Sequence, residues 1–301
     1  MKNSQNRLIK IAKAVSVACK NAMIPAFSCR KSRHTYMQYQ HASIICMMKC
    51  LRLHYRSVMD LLRLTPVLRK VMKLKLLPHY TTIQKFFMRL EREEMDALLL
   101  ETAKLSGFSG TIAIDSTSFT ASNASRHYQM FKYKKEKSPW KKAYMKGSAA
   151  IDIESQSIIV LKCRTDHAHD SRDFIPILRE IHKNVPVNTI IADRGYDFEK
   201  LHRYARNRIK AKTLIPVRQV KSGRVSGKYR KMLNEDFDWG LYAKRSRIES
   251  VFSGVKRKFG DMLFSRSIPL RMKEMKLICA VYNLYRYERS CFVWYGFYKA
   301  V

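Results

Sequence analysis

Acidic residues are scarce in this sequence: 24 Asp and Glu stand against 59 Lys and Arg over 301 positions, leaving a formal net charge of +35. A chain this basic repels itself unless a polyanion neutralises it, and nucleic acid is the expected partner. Long hydrophobic runs are missing as well. No stretch approaches the 18 or so apolar residues of a spanning helix, so the competing polyanion, a membrane, is set aside. The seven cysteines are odd in number and irregularly spaced, which excludes a disulfide scaffold and argues for free thiols in a reducing compartment. The expected location is the cytoplasm, in association with the nucleoid. Cys46, Cys50 and His54 share one helix face, yet a straight helix spreads them over about 12 Å, too far for one zinc. No repeat of 20 to 50 residues is present. At the N-terminus, the apolar run Ala14 to Cys19 mimics a leader, but Lys20 interrupts it too early, and a basic arm touching phosphates is the expectation.

With 46% hydrophobic residues the composition is that of a folded chain, long enough for two domains. Residues 1 to 90 hold 18 Lys and Arg against one acid, Asp60, so they carry +17, close to half the total charge. Their apolar spacing is helical: Ile83, Phe86, Phe87 and Leu90 fall at i, i+3, i+4 and i+7. Tyr55 to Leu64 and Pro66 to Met72 read as short helices upstream. A helix-turn-helix module over residues 1–95 is one reading, with Thr82 to Arg92 as recognition helix, Thr81 or Thr82 as its cap, and Lys85 and Arg89 among its outward residues. A packed helical bundle with a solvated charged face is the other.

From Gly107 the pattern changes. Thr111 to Ile114, Ala149 to Ile153 and Ile158 to Cys163 are strand signals, followed by a helix over Asp173 to His182. A strand at Thr189 to Ala192, a helix near Phe198 to Arg208 and a strand at Thr213 to Val217 come next. This succession predicts an α/β fold, a mixed sheet with helices on its faces, over residues 107–290, and leaves residues 291–301 as an aromatic tail.

Asp115 directly follows Thr-Ile-Ala-Ile and Asp193 directly follows Thr-Ile-Ile-Ala, so two strands are each expected to end on a carboxylate, where sites gather in open α/β sheets. Further on, Tyr242, Arg245, Glu249 and Lys256 lie at helical offsets 0, 3, 7 and 14, within an arc of about 60° on one face. Ile248, Val251 and Val255 occupy the opposite side. Three carboxylates from two strands and a helix offer hard oxygen ligands to Mg²⁺, with cations alongside for phosphate, the arrangement of two-metal phosphodiester chemistry.

Tyr-x₂-Arg-x₃-Glu-x₆-Lys at Tyr242, Arg245, Glu249 and Lys256 is similar to the signature of the Asp-Asp-Glu transposases of bacterial and archaeal insertion sequences, in the insertion-sequence-four and insertion-sequence-five groups. Asp193-Arg194-Gly195-Tyr196 resembles that family's second-Asp motif and Asp115-Ser116-Thr117 its first. Asp166 to Leu178 resembles the stretch between them. The resemblance covers about residues 35 to 290. It implies a ribonuclease-H-like mixed sheet preceded by a small all-helical DNA-binding module. It further implies Asp115, Asp193 and Glu249 as the catalytic residues and ligands of two Mg²⁺ ions, Mn²⁺ being the substitute. Expected partners are double-stranded DNA, as terminal inverted repeats and target, and a second copy of the chain in a dimer assembled on DNA. Only 56 positions separate Asp193 from Glu249, so the large β-rich insertion of bigger members is not expected.

Taken singly, Asp115 reads as a strand-end cap and Asp193 as an Asp turn before Gly195. Arg194 reads either as a phosphate contact or as the partner of a nearby carboxylate. Residues 126 to 146 hold eight Lys and Arg with five aromatics, which suits a DNA-tracking loop in which Trp140 stacks a base, or a solvated charged loop. Two rival functions use the same features: a structure-selective nuclease without strand transfer, and a non-catalytic DNA-binding protein.

Overall fold

A computed structural model describes residues 6–121, 144–166, 168–218 and 224–297. The chain divides into two compact units, residues 1–107 with 276–301, and residues 108–275.

The first unit is helical. Its elements are α1 (Arg7–Asn21), α2 (Gln38–Cys50), α3 (Tyr55–Leu64), α4 (Pro66–Val71), α5 (Tyr80–Arg89) and α6 (Arg92–Lys104). Helix α2 is buried nearly all round, through Ile44, Ile45, Met47 and Met48, which makes it the central element of this unit. Helix α1, which buries Ile11, Val15 and Ala18, packs against it. Helix α5 buries Ile83, Phe86 and Phe87 while Lys85 and Arg89 stay exposed, as the spacing predicts. Its start differs from the expectation: the helix begins at Tyr80 after His79, and neither Thr81 nor Thr82 caps it. Thr81 Oγ1 instead pairs with His79 Nδ1 at 2.8 Å. It also stops at Arg89, because Leu90 and Glu91 leave helical geometry and Glu91 begins α6 through its backbone bond to Glu94.

The second unit is a mixed sheet with flanking helices. Its strands are β1 (Thr111–Ala121), β2 (Tyr144–Asp152), β3 (Ile158–Arg164), β4 (Thr189–Ala192), β5 (Lys212–Leu214) and β6 (Met262–Leu263). They lie in the order β3-β2-β1-β4-β5, with β6 also paired to β1. The β1–β2 and β2–β3 pairs are antiparallel, and β1–β4, β4–β5 and β1–β6 are parallel. Ile112, Ala113 and Ile114 of β1 and Ile190, Ile191 and Ala192 of β4 are fully buried, as strands covered on both faces are. Helix α7 (Ser171–His182) packs Phe174, Ile177, Leu178 and Ile181 inward. Helix α8 (Glu199–Arg203) runs on as a wider turn to Ile209, ended by Lys210 at φ 65°. Strand β5 is shorter than the expected Thr213 to Val217, because Pro216 has no N–H to continue a ladder. Helices α9 (Lys228–Glu235), α10 (Trp239–Tyr242) and α11 (Ser246–Phe259) complete this unit, and α12 (Ile268–Phe297) starts in it and from Lys276 onward belongs to the helical unit. Among the described residues no helix is long and apolar enough to cross a membrane.

Candidate active site

Strand β1 does not end at Asp115, as the apolar run alone suggests. It continues to Ala121, since the polar residues after Ile114 keep pairing with β2 as far as Thr120 and with β6 from Thr120. What ends there is its neighbour. The parallel register joins Thr111 to Thr189 and Ile114 to Ala192, so the next position on each strand is Asp115 and Asp193. Asp193 leaves the sheet and its Oδ1 accepts the Gly195 N–H at 2.7 Å, closing a one-turn 3₁₀ helix, Arg194–Tyr196. The Asx turn that Asp193 suggests by itself is thus present, and it aims the carboxylate beside β1.

The third acid comes from α11. The run Tyr242 to Lys256 is not one regular helix: Tyr242 ends α10, residues 243–245 form a tight turn, and α11 starts at Ser246. Ile248, Val251 and Val255 are buried, which leaves Arg245 and Glu249 to face the carboxylates. The Arg245 guanidinium donates to Asp115 Oδ2 at 3.0 Å and also to Glu249 Oε1. Asp115 Oδ1 accepts the Ser116 N–H at 2.8 Å. Burial pushes the Asp115 carboxyl above its usual range. The charges of Asp193 and Glu249 push the same way, while the Ser116 N–H and Arg245 oppose them. The Tyr242 hydroxyl is likewise raised, by burial first and then by Asp193, against Arg245 and Arg194. Lys256 lies with its Nζ 5.7 Å from the Phe119 ring of β1.

The structure therefore brings Asp193, Glu249 and Arg245 within electrostatic reach of Asp115, and Tyr242 within reach of Arg245 and Asp193. Arg194 is exposed and has no carboxylate partner among the described residues. Lys85 and Arg89 belong to the other unit. Trp140, with residues 122–143, lies outside the described residues.

Two supporting networks escaped sequence reasoning. Beneath Asp115, Ser116 Oγ meets Ser148 Oγ at 3.1 Å, and Ser148 donates to the buried Asp173, which Arg164 holds. Behind Asp193, the Arg218 side chain donates to the carbonyls of Arg194 and Gly195 at 2.8 and 3.0 Å, and its N–H donates to Asp197 at 2.8 Å. Asp197 is fully buried between His202 and Arg230. Burial alone would raise its carboxyl, but hydrogen bonds from His202, Arg230 and the Arg218 N–H prevail and hold it down at about 2. The signal for Asp197 was its place directly after Asp-Arg-Gly-Tyr; nothing in the sequence pairs it with Arg218 or Arg230. Glu154, which the sequence presents as an acid remote from the motif face, takes Lys244 and Arg247 at 2.9 and 2.6 Å and so ties the start of α11 to the β2–β3 turn.

The donor set suits a hard divalent cation, since three carboxylates and no sulfur or nitrogen ligand are offered. The raised proton affinity of Asp115 beside two like charges is the strain that a bound cation relieves. Among the described residues, however, no three His, Cys, Asp or Glu side chains are gathered at metal-holding distances. Arg245 stands as the counterion between Asp115 and Glu249.

The family described as the transposase DDE domain matches residues 106–284 of this chain. No curated protein matches it. Among solved structures, the chain is similar to the piggyBac transposase in a synaptic complex with hairpin DNA, determined by cryo-EM, with a TM-score of 0.47 and 10% identity over 96% of this chain and 76% of that one.

Proposed function

The chain belongs to the transposase DDE domain family, and from that premise we propose that it binds the terminal inverted repeats of an insertion sequence of the insertion-sequence-four or -five type, cleaves phosphodiesters there and joins the freed ends to target DNA. The observation that carries this reading is the placement of Asp115 and Asp193 just past the last β1–β4 pair, with Glu249 joined to Asp115 through Arg245. Transposases of this family generally use divalent metal ions. Asp115, Asp193 and Glu249 would hold Mg²⁺ here, which when bound supplies Lewis-acid activation of water and of the 3′-hydroxyl.

The chain's own residues then bind and orient. Arg245, turned from its carboxylates to the DNA, neutralises a phosphate, and Lys256 and Arg194 take flanking ones. Tyr242, whose hydroxyl burial keeps protonated, donates to a phosphate oxygen. The Asp193 turn, clamped by Arg218, holds its carboxylate in place without reorganisation. The catalytic core takes a ribonuclease-H-like form, and the basic helical segment over residues 1–95 anchors DNA through Lys85 and Arg89 on α5. Two copies assemble on DNA, in the nucleoid-associated cytoplasm.

The decisive experiment replaces one charge. Glu249→Gln keeps size and hydrogen bonding, so binding of element ends is expected to survive while cleavage and strand transfer fall by more than about a hundredfold. Asp115→Asn and Asp193→Asn are expected to match it, and each double variant to be little worse than a single one. Cleavage by Glu249→Gln near the wild-type rate would remove Glu249 from the site. Cleaved but never joined products from the wild-type chain would leave a nuclease.

A further inference from the structure

The helical unit contains a cavity of about 410 Å³, lined by residues of the 28–36 loop, the start of α2 and one side of α5. That volume lies in the range of small-ligand sites. No acid lines it, while Arg33 and Arg89 do, and neither has an acidic partner among the described residues. Two further polar groups of the lining are unsatisfied. His41, 6% exposed, has its Nε2 without a hydrogen-bond partner, and so has the buried Oγ of Ser32. Buried polar atoms are seldom left so, and these ask for a ligand.

The wall carries aromatic rings inclined to one another by about 50°. The His41 ring lies 5.2 Å from that of Phe86 and 5.5 Å from that of Tyr36. Burial, with help from Arg89, lowers the His41 pKa to about 4, so its imidazole is neutral and offers one hydrogen-bonding nitrogen. The loop above is held in place at some conformational cost. His34 sits at φ 50° and stacks on Phe27 at 4.1 Å.

A neutral aromatic wall with two cations and hydrogen-bonding groups matches a ligand that is aromatic at one end and anionic at the other. We propose that this cavity binds a single nucleotide of a DNA strand, its base beside Tyr36 and His41 and its phosphate on Arg33 and Arg89. The site is separate from the three carboxylates and independent of whether they cut DNA.

Equilibrium dialysis of the full chain at near-physiological salt, against each of the four deoxynucleoside monophosphates, tests it. One saturable site per chain is expected for at least one of them, with inorganic phosphate or the free nucleoside competing at least about tenfold less well, because each carries half of the recognition. Arg33→Ala should weaken nucleotide binding about tenfold. Lys31→Ala, which removes the same charge from outside the lining, should leave it within about twofold. His41→Leu should abolish the advantage of the nucleotide over phosphate, with thermal melting by circular dichroism as the check on folding. Absence of saturable binding for all four overturns the proposal. So does equal competition by inorganic phosphate, which would make this an anion site, or equal loss in the Arg33 and Lys31 variants, which would make it bulk electrostatics. Dialysis reads no cleavage, so failure here leaves the active-site reading standing, and failure of that reading leaves this one.

Discussion

At the scale of single residues, Asp115 and Glu249 would repel each other if left alone, and one guanidinium, Arg245, serves both. Among the described residues Asp193 has no such counterion, and it is oriented by backbone instead, through the Gly195 N–H. That makes Gly195 a sensitive position although its φ is ordinary: a Cβ there would lie 2.7 Å from Asp193 Oδ1, closer than real Cβ contacts come. Gly195→Ala is expected to turn the carboxylate away and lower cleavage at least about tenfold with DNA binding intact. A gel-shift and cleavage assay on the same preparation checks it, and unchanged cleavage would show that Asp193 needs no such aim. Asp197 governs the same turn through charge. Its folded carboxyl, near 2 against an ordinary 3.8, contributes stability that is fully present above about pH 4 and is lost as pH falls through about 2. Asp197→Asn should therefore cost on the order of 2 kcal/mol in urea unfolding at pH 7. The gap to wild type should shrink towards pH 2, and a pH-independent gap would mean that packing rather than charge is responsible.

At the scale of elements, much of the sheet was readable, because β1, β3 and β4 each carry an apolar run that only a strand buried on both faces needs. What was not readable has physical causes. The far half of β1 is polar, with Ser116, Thr117 and Ser118 in sequence, and its strand character comes from pairing with β2, which lies 20 or more positions away. Of the site, the three acids and Arg245 were legible as motif residues. Their supports, Ser148, Arg218 and Arg230, were not, since each acts through a contact distant in sequence. Helix α11 was legible from its apolar face, Ile248, Val251 and Val255, whereas the break before Ser246 was not, and this gives a test. Ile248 is fully buried one residue before Glu249, so Ile248→Ala should destabilise the α/β unit by about 2–5 kcal/mol. Cleavage should then fail at a lower temperature than DNA binding does, because Glu249 depends on that anchor. Parallel loss of both activities across temperature would mean that α11 and the DNA-binding surface unfold as one.

At the scale of the whole molecule, the charge is shared. Residues 1–90 carry +17 and the remainder +18, so affinity for any polyanion is ensured and says little about where DNA lies. Salt dependence combined with position-specific substitution separates a contact from a background field, since each neutralised phosphate contributes about 0.9 to the slope of log affinity against log salt. Lys85 projects from the exposed side of α5, and Lys183, which follows α7 in the other unit, is exposed as well. Both substitutions, Lys85→Gln and Lys183→Gln, remove one charge and neither disturbs a core. If α5 lies on the DNA, Lys85→Gln should lower the slope by about one contact and weaken binding across sequences, while Lys183→Gln leaves the slope unchanged. Fluorescence anisotropy over a salt series, on one duplex bearing an element end and one unrelated duplex, measures this. Equal small effects from the two variants would mean that DNA responds to net charge alone, and α5 would lose its role as anchor.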